Sequence, residues 1–135
     1  MIKILLCCGG GFSSSAIATR IQKDIEKNNL KEKAYIEYSP FSISLEKIND
    51  FDIMICCPHL NIYVKQLLKK QNVPIPIYVL PPKIYGNMKM EDIIMDCEDI
   101  IEMYHNGQQN PIHFPKEENV LKIKRDKAYR KVKGL

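Results

Sequence analysis

Short apolar runs alternate with helix-length stretches along most of the chain. Residues 1–7 form an apolar run that is typical of a buried parallel strand. Residues 34–38 alternate and are rich in strand formers, which predicts a second strand. Residues 51–57 predict a third, central strand. Residues 75–80 predict a fourth, which we place at an edge because Pro76 cannot donate a ladder hydrogen bond.

Helical patterns fill the stretches between and after these strands. Residues 16–29 carry one apolar stripe, which a serine of the preceding loop can cap, and residues 44–49 allow a single helical turn. The helix after the third strand has apolar positions at Leu60, Val64, Leu67 and Leu68. The clearest stripe consists of Ile93, Ile94, Cys97, Ile100, Ile101 and Tyr104. Gly107 marks the end of that last helix, and Cys97 is predicted to belong to the core.

This order of elements predicts an α/β fold. We expect a single three-layer domain with a four-stranded parallel sheet and helices on both faces. Right-handed crossovers make the strand order 2-1-3-4 the simplest arrangement. Ligands of such sheets bind beyond the carboxyl ends of the strands, at the point where the strand order reverses. Here that point lies where the first and third strands end, at Cys8 and at Cys57-Pro58-His59.

A loop rich in glycine and serine joins the first strand to the first helix. It reads Cys8-Gly9-Gly10-Gly11-Phe12-Ser13-Ser14-Ser15. Backbone N–H groups that converge at a helix N-terminus favour an anion, and a thiol placed there is expected to ionise readily. The loop therefore predicts chemistry in which phosphate passes through Cys8. The structural alternative is a tight turn with Cys8 as a small core residue.

Composition places the chain among soluble globular domains. Its 135 residues are 45% apolar and 27% charged, enough for one domain with a proper core. No apolar run is long enough to span a bilayer, and we expect no signal peptide. The five cysteines include two adjacent pairs, Cys7-Cys8 and Cys56-Cys57, which is not the pattern of a disulfide framework. This usage indicates a reducing cytosol.

The net charge of +4 is concentrated at the C-terminal end. Residues 107–135 carry eight Lys or Arg and three acidic residues, whereas residues 1–106 carry 12 and 13. We therefore divide the chain into a domain at 1–106 and a basic C-terminal extension at 107–135. The domain itself has no basic excess, so we expect no nucleic-acid partner.

The loop at Cys8 resembles that of the IIB components of the bacterial phosphoenolpyruvate-dependent sugar phosphotransferase system (PTS), in its lactose/cellobiose (chitobiose) branch. Proteins of that family open with a short apolar strand and continue into a loop of the type C-x-x-G-M-S-T-S. Gly11, Ser13 and Ser15 fit this pattern. Phe12 replaces the methionine and Ser14 replaces the threonine, which are both mild changes.

The resemblance covers roughly residues 1–106, which it identifies as a IIB-like domain. It includes Pro58 after the third strand, the Tyr85-Gly86 pair after the fourth and an amphipathic last helix. His59 departs from it, because the family often has glutamine there. The resemblance suggests Pro58, His59 and Tyr85 as contacts from a second loop, and the alternative for His59 is a solvated loop residue. The fold that the resemblance implies is similar to that of low-molecular-weight tyrosine phosphatases.

The resemblance implies a transferase that carries phosphate on cysteine. A phosphohistidine of a IIA protein would phosphorylate Cys8. The phosphocysteine would then pass the phosphoryl group to a sugar in the membrane IIC permease, a β-disaccharide such as cellobiose, chitobiose or lactose. The implied phosphate-binding residues are Gly9, Gly10, Gly11, Phe12, Ser13, Ser14 and Ser15. No cofactor is needed, because the phosphoryl group is carried covalently.

The same resemblance implies a cytoplasmic protein that associates peripherally with its permease. The basic extension is then either a solvated tail, which we favour, or a contact to the permease or to the anionic inner leaflet. In both cases we expect the domain to be complete without it.

Three other functions are considered. A low-molecular-weight phosphatase or arsenate reductase needs a C-x5-R loop, but Ser14 occupies the arginine position counted from Cys8 and the nearest arginine is Arg20. A non-catalytic regulatory module of the same fold remains open, although the presence of Cys8 argues against it. A metal site built from the cysteine pairs and His59 is disfavoured, because adjacent strand residues point to opposite faces and the spacing matches no zinc pattern.

The predicted sheet also brings two cysteines together. Cys8 and Cys57 end neighbouring parallel strands, whose axes lie about 4.8 Å apart. Their α-carbons can then fall within the disulfide window of roughly 4.4–6.8 Å. We therefore predict that a Cys8–Cys57 disulfide forms in air and blocks the nucleophile.

Overall fold

The computed structural model of the chain describes residues 2–8, 23–24, 26–27, 32–57, 60–80, 90–114 and 128–130. The described strands are β1 (Ile2–Cys8), β2 (Ala34–Pro40), β3 (Ile53–Cys56) and β4 (Ile77–Val79). The longer described helices are α1 (Asn61–Lys70) and α2 (Met90–His105). Two short 3-10 helices, Phe41–Glu46 and Ile48–Asp50, join β2 to β3 where the sequence allowed one helical turn. The described residues between 23 and 27 are helical, as predicted, and the rest of that predicted helix lies outside the described residues.

The described strands form one parallel sheet in the order β2-β1-β3-β4. This confirms the predicted α/β fold and its strand order 2-1-3-4. β1 pairs on both sides, with Leu5 opposite Glu37 of β2 and Met54 of β3. β4 lies at an edge, as Pro76 indicated, and the Pro76 carbonyl accepts a hydrogen bond of 2.9 Å from the Met54 amide.

Two strands run past their predicted ends, whereas β3 and β4 are shorter than predicted at both ends. β1 includes Cys8, which pairs with Pro40, so Cys8 is the last strand residue rather than the first loop residue. β2 continues through Ser39 and Pro40, two residues beyond the predicted strand at 34–38. A proline is tolerated there because β2 is an edge strand, and an edge strand does not need every backbone N–H for a ladder.

Each face of the sheet covers its own core cluster. The α1 face contains Leu5, Cys7, Met54, Cys56, Ile77 and Val79 from the strands, packed with Ile48, Phe51, Leu60, Val64, Val73 and Ile75. The α2 face contains Ile4, Leu6, Ala34, Ile53, Ile55, Tyr78 and Leu80, packed with Ile93, Ile94, Cys97, Ile100, Ile112 and Phe114. The alternation of side chains along β1 and β3 assigns neighbouring residues to opposite faces.

α2 ends as the sequence predicted. Gly107 adopts a left-handed φ of 108°, which glycine accepts without the penalty of a Cβ atom. The Gly107 amide donates to the Tyr104 carbonyl at 3.1 Å and the Gln108 amide donates to the Met103 carbonyl at 3.1 Å. These two hydrogen bonds form a Schellman motif, which satisfies carbonyls at the helix end and reverses the chain.

The chain beyond α2 covers the open edge of β4. The Asn110 side chain accepts a hydrogen bond from the Ile77 amide at 2.8 Å, and its amide group donates to the Ile75 carbonyl at 2.9 Å. The Ile112 amide donates to the Ile77 carbonyl at 2.9 Å. These contacts satisfy backbone groups that an edge strand would otherwise expose.

Described residues of the predicted extension are also part of the core. Ile112 and Phe114 are buried in the α2 face, and Ala128 is fully buried. In these residues the chain packs against the domain, which differs from the solvated tail that we favoured. The boundary at residue 106 stays a prediction, which truncation can test.

Candidate functional site

The carboxyl ends of β1 and β3 meet at one edge of the sheet. Cys7 pairs with Cys56, and the Cys57 amide donates to the Cys7 carbonyl at 3.1 Å. Cys8 is the final residue of β1, and Cys57 directly follows β3. The backbone therefore confirms that Cys8 ends β1 beside the end of β3, while Cys57 lies one residue beyond β3 instead of ending it.

The backbone of Cys57 is held between a strand and a helix. Its carbonyl accepts a hydrogen bond of 3.0 Å from the Leu60 amide, in the turn that begins α1. Its side chain is fully buried and takes part in a disulfide. Cys57 is thus a fixed sulfur at the edge where the fold class places ligands.

The neighbouring pair, Cys7 and Cys56, consists of free thiols in the core. Both are fully buried on the α1 face. A hydrogen bond with Cys7, followed by burial and by the charge of Cys7, raises the pKa of Cys56 well above its usual range. A neutral, enclosed thiol is a poor nucleophile, so Cys56 is unsuited to phosphoryl transfer.

Cys97 is the third free thiol of the described residues and is also fully buried. Burial, followed by the charges of Asp96 and Glu98, raises the pKa of Cys97 well above its usual range. It packs on the α2 face, which confirms the predicted core role.

Most of the predicted site lies outside the described residues. This holds for the side chain of Cys8 and for the predicted phosphate-binding and second-loop residues, namely Gly9, Gly10, Gly11, Phe12, Ser13, Ser14, Ser15, Pro58, His59 and Tyr85. Their roles stay predictions. Among the residues that the structure does describe, no three His, Cys, Asp or Glu side chains are placed to hold a metal ion. In that same part of the chain, no helix has the length and apolar character needed to cross a membrane.

Two residues at this edge were not included in the predicted phosphate site. Ser39 of β2 is fully buried and stands opposite Cys7 in the sheet. The sequence did not indicate this, because Ser39-Pro40 is typical of a strand end. The sequence placed Cys57 at the ligand-binding end of the sheet and in the predicted disulfide, although not among the phosphate-binding residues. Its signal is the shared spacing of the two adjacent cysteine pairs on paired strands.

Comparison with known proteins identifies the family of the chain. The sequence model of the family described as "PTS system, Lactose/Cellobiose specific IIB subunit" matches residues 3–96. A solved structure, the lactose-specific IIB component domain of the phosphotransferase system from Streptococcus pneumoniae, is similar at 16% identity with a TM-score of 0.47. That similarity covers 80% of this chain and 98% of the other. No curated protein matches the chain. Since the family match spans well over half of the sequence, the chain belongs to the lactose/cellobiose-specific IIB subunits of the PTS.

Proposed function

We propose that this protein accepts a phosphoryl group from the phosphohistidine of a IIA protein onto Cys8. It then transfers the group to a β-disaccharide, such as cellobiose, chitobiose or lactose, bound in a membrane IIC permease. Family membership supports the general role of a phosphoryl carrier in sugar uptake. The observation that carries the choice of Cys8 is its position as the last residue of central β1, at the carboxyl edge of the sheet.

The chemistry consists of two phosphoryl transfers with opposite roles for sulfur. In the first, the Cys8 thiolate attacks phosphorus, so that the S–P bond forms while the N–P bond breaks and the imidazole leaves. In the second, a sugar hydroxyl attacks phosphorus, the S–P bond breaks and the thiolate is restored, while the hydroxyl proton passes to a base. Both steps depend mainly on positioning and on stabilisation of the phosphoryl charge. The predicted 9–15 loop supplies that stabilisation, with backbone amides and hydroxyls.

Cys8 is favoured over Cys7 as the phosphoryl acceptor because Cys7 is enclosed in the core. Cys7 is fully buried and hydrogen-bonded to Cys56, between strands and α1. A phosphoryl donor would have to open the α1 face to reach it. Cys8 ends the strand at the carboxyl edge, where the chain continues directly into the glycine loop. In this proposed function the protein works in the cytoplasm and docks in turn on IIA and on the cytoplasmic side of the permease.

The assignment is tested by incubating the reduced protein with a phosphorylated IIA protein. Intact-mass spectrometry and peptide mapping should show one phosphoryl group, located on Cys8. Cys8→Ser should abolish labelling. Cys7→Ser is the matched control, because it makes the same chemical change one residue earlier and should retain most of the labelling. Normal labelling of Cys8→Ser would exclude Cys8 as the acceptor.

The acceptor sugar requires a second measurement. Labelled protein is mixed with membranes that contain a IIC permease and with cellobiose, chitobiose or lactose in turn. Loss of the label together with the appearance of a sugar phosphate identifies the acceptor. If the label is lost to water at the same rate without sugar, the protein behaves as a phosphatase and the carrier proposal is wrong.

A further inference from the structure

Cysteines occupy two successive positions where β1 and β3 end, and the described sulfurs at these positions are in different states. Cys7 and Cys56 stand opposite each other in β1 and β3 and are both free thiols. Cys57, one residue further along, is disulfide-bonded. Adjacent positions on the same strands therefore differ in their sulfur chemistry.

The sequence and the backbone together leave one candidate partner for Cys57. The chain has five cysteines, and Cys7, Cys56 and Cys97 are free. Cys8 is the one that remains. Its backbone ends β1, and the hydrogen bond from the Cys57 amide to the Cys7 carbonyl sets the two strand ends side by side. Neighbouring parallel strands bring α-carbons within the range that a disulfide spans.

We propose that Cys57 is the resolving thiol of a redox switch, which reversibly converts Cys8 to a Cys8–Cys57 disulfide when a peroxide is present. The disulfide removes the sulfur that would accept phosphate. This regulatory consequence depends on the proposed function of Cys8, whereas the disulfide itself does not. Oxidation would then stop sugar phosphorylation without unfolding the protein.

The chemistry of the switch balances with one molecule of hydrogen peroxide. The Cys8 thiolate attacks one peroxide oxygen, an S–O bond forms, the O–O bond breaks and hydroxide leaves, which gives a sulfenic acid. The Cys57 sulfur then attacks the Cys8 sulfur, the S–S bond forms and the S–O bond breaks. Two thiols and one peroxide thus give one disulfide and two waters, with two electrons passing from sulfur to oxygen. A dithiol reverses the reaction by thiol–disulfide exchange and is itself oxidised.

The fold favours this chemistry at Cys8 and Cys57 over Cys7 and Cys56. The backbone of Cys57 is fixed on both sides, by hydrogen bonds to Cys7 and from Leu60, so the sulfur can be held ready without a rearrangement of the strands. Cys7 and Cys56 lie among apolar side chains of the α1 face, one residue before the carboxyl edge of the sheet. These two thiols hydrogen-bond to each other and do not form a disulfide.

The test uses reduced full-length protein, treated with hydrogen peroxide, denatured, alkylated and digested without reductant. We expect one cross-linked peptide that joins Cys8 to Cys57, with Cys7, Cys56 and Cys97 recovered as alkylated thiols. Acceptance of phosphate from the IIA protein should be lost and should return after dithiothreitol. A link between other cysteines, or no link in protein that has lost its activity, overturns the proposal.

Cys57→Ser shows whether the bond protects the nucleophile. Without a resolving thiol, Cys8 should proceed to sulfinic acid, which thiols do not reduce. Labelling of this variant should then be lost after peroxide and should not recover. Cys56→Ser, the same change one residue earlier, should recover as the wild type does. Equal recovery of Cys57→Ser overturns the switch. If the Cys8–Cys57 link forms normally but Cys8→Ser still accepts phosphate, the proposed function fails and the cross-link stands.

Discussion

The two faces of the sheet are closed by different means. The α1 face is filled by apolar side chains and two thiols. Most of them come from one continuous part of the chain, from β3 through α1 to β4, and the others come from β1 and from the second 3-10 helix and its C-cap Phe51. The α2 face also takes Ile112 and Phe114, from beyond the end of α2. It encloses a fully buried carboxylate, Asp96. The α1 face is thus closed mainly by the hydrophobic effect, whereas the α2 face also depends on particular polar contacts.

Asp96 joins three separate elements of the α2 face. Its Oδ2 accepts a hydrogen bond from the Tyr78 hydroxyl of β4 at 3.1 Å. Its Oδ1 accepts one from the Tyr129 amide at 2.8 Å. A buried carboxylate is tolerated only when such donors replace water. The described C-terminal residues therefore satisfy a requirement that α2 creates.

Aromatic and ionic contacts hold the same residues in place. The Tyr129 ring stacks on Phe114 with 4.3 Å between centroids, and Phe114 meets Tyr78 edge-on at 6.0 Å. The Arg130 guanidinium donates two hydrogen bonds to Asp99 of α2, at 3.0 and 3.1 Å. The hydrogen bonds to Asp99 are the main reason why the pKa of Arg130 is raised. The α2 face is therefore closed from outside the matched family region, which ends at residue 96.

Truncation gives the largest expected effect. A chain that ends at Gly107 loses the buried side chains of Ile112 and Phe114 and the hydrogen bonds that Asn110 makes to the edge of β4. Burying each apolar side chain is worth roughly 1.5–3 kcal/mol. Their combined loss approaches the 5–15 kcal/mol that typically holds a domain together. We expect the truncated chain to melt far below the full-length protein in thermal unfolding.

A chain that ends at Phe114 is the matched control, because it keeps Ile112, Phe114 and the Asn110 hydrogen bonds but loses the Tyr129 ring and the Tyr129 amide that contact Phe114 and Asp96. It should melt between the chain that ends at Gly107 and the full-length protein. The sequence-based boundary at residue 106 predicts the opposite, namely a chain ending at Gly107 that folds and accepts phosphate at Cys8. Equal melting temperatures for that chain and the full-length protein would support the boundary.

Single aromatic substitutions compare the two faces directly. Phe114 on the α2 face is 2% exposed and contacts two other rings, whereas Phe51 on the α1 face is 8% exposed and stacks on Tyr35 at 6.4 Å. Tyr35 is itself 45% exposed, so its contact keeps less surface from water. We expect Phe114→Ala to lower the free energy of unfolding by about 3–5 kcal/mol, and Phe51→Ala by less. Urea denaturation of both variants measures the difference, and an equal or larger loss for Phe51→Ala would contradict it.

The periodicity of apolar residues was sufficient to predict the sheet and the buried stripe of α2. In the predicted stripe Ile93, Ile94, Cys97 and Ile100 are buried, and Ile101 and Tyr104 are half-buried against the same core. The closure of the α2 face was not predictable in the same way. Ile112 and Phe114 are isolated apolar residues in a polar, proline-containing segment, and such a segment shows no period that would indicate burial.

Asp96 illustrates a second limit of sequence reasoning. It lies in a helix with several exposed acidic residues, and nothing in the local pattern separates it from them. Its burial depends on Tyr78 and Tyr129, which are distant in sequence. At the candidate site, the loop motif and the strand order together indicated Cys8. The position of Cys57 beside the end of β1 followed from the predicted strand order alone, and the structure confirms that order.

Removal of one hydroxyl tests the polar closure of the α2 face. Tyr78→Phe keeps the ring against Phe114 but deletes the hydrogen bond to the buried Asp96 carboxylate. A buried acceptor that loses a partner costs about 1–3 kcal/mol. We therefore expect a loss of that size in urea denaturation. Tyr35→Phe on the other side of the sheet deletes an exposed hydroxyl contact to Glu37 and should cost less. An unchanged free energy of unfolding in Tyr78→Phe would show that the hydrogen bond to Asp96 contributes nothing to stability.

The smallest expected effect concerns the polar rim of the α1 face. Glu37 of β2 lies opposite Leu5, and its Oε2 accepts a hydrogen bond of 3.0 Å from the Lys47 ammonium group. That bond, followed by one from the Tyr35 hydroxyl, lowers the pKa of Glu37 from its ordinary value of 4.5. A lowered folded-state pKa means that the stabilisation is present above pH 4.5 and is lost as the pH falls through the lower value.

Because both partners of this ion pair are more than a third exposed, its contribution should stay below about 1 kcal/mol and should weaken in salt. Glu37→Gln should therefore be slightly less stable than the wild type near neutral pH, and the two should converge in acid. Urea denaturation of both proteins across that range, at low and high salt, measures the difference. Lys47→Met should show the same convergence, since it removes the other partner. A gap that persists undiminished in acid would mean that Glu37 stabilises the rim by packing and not by its charge.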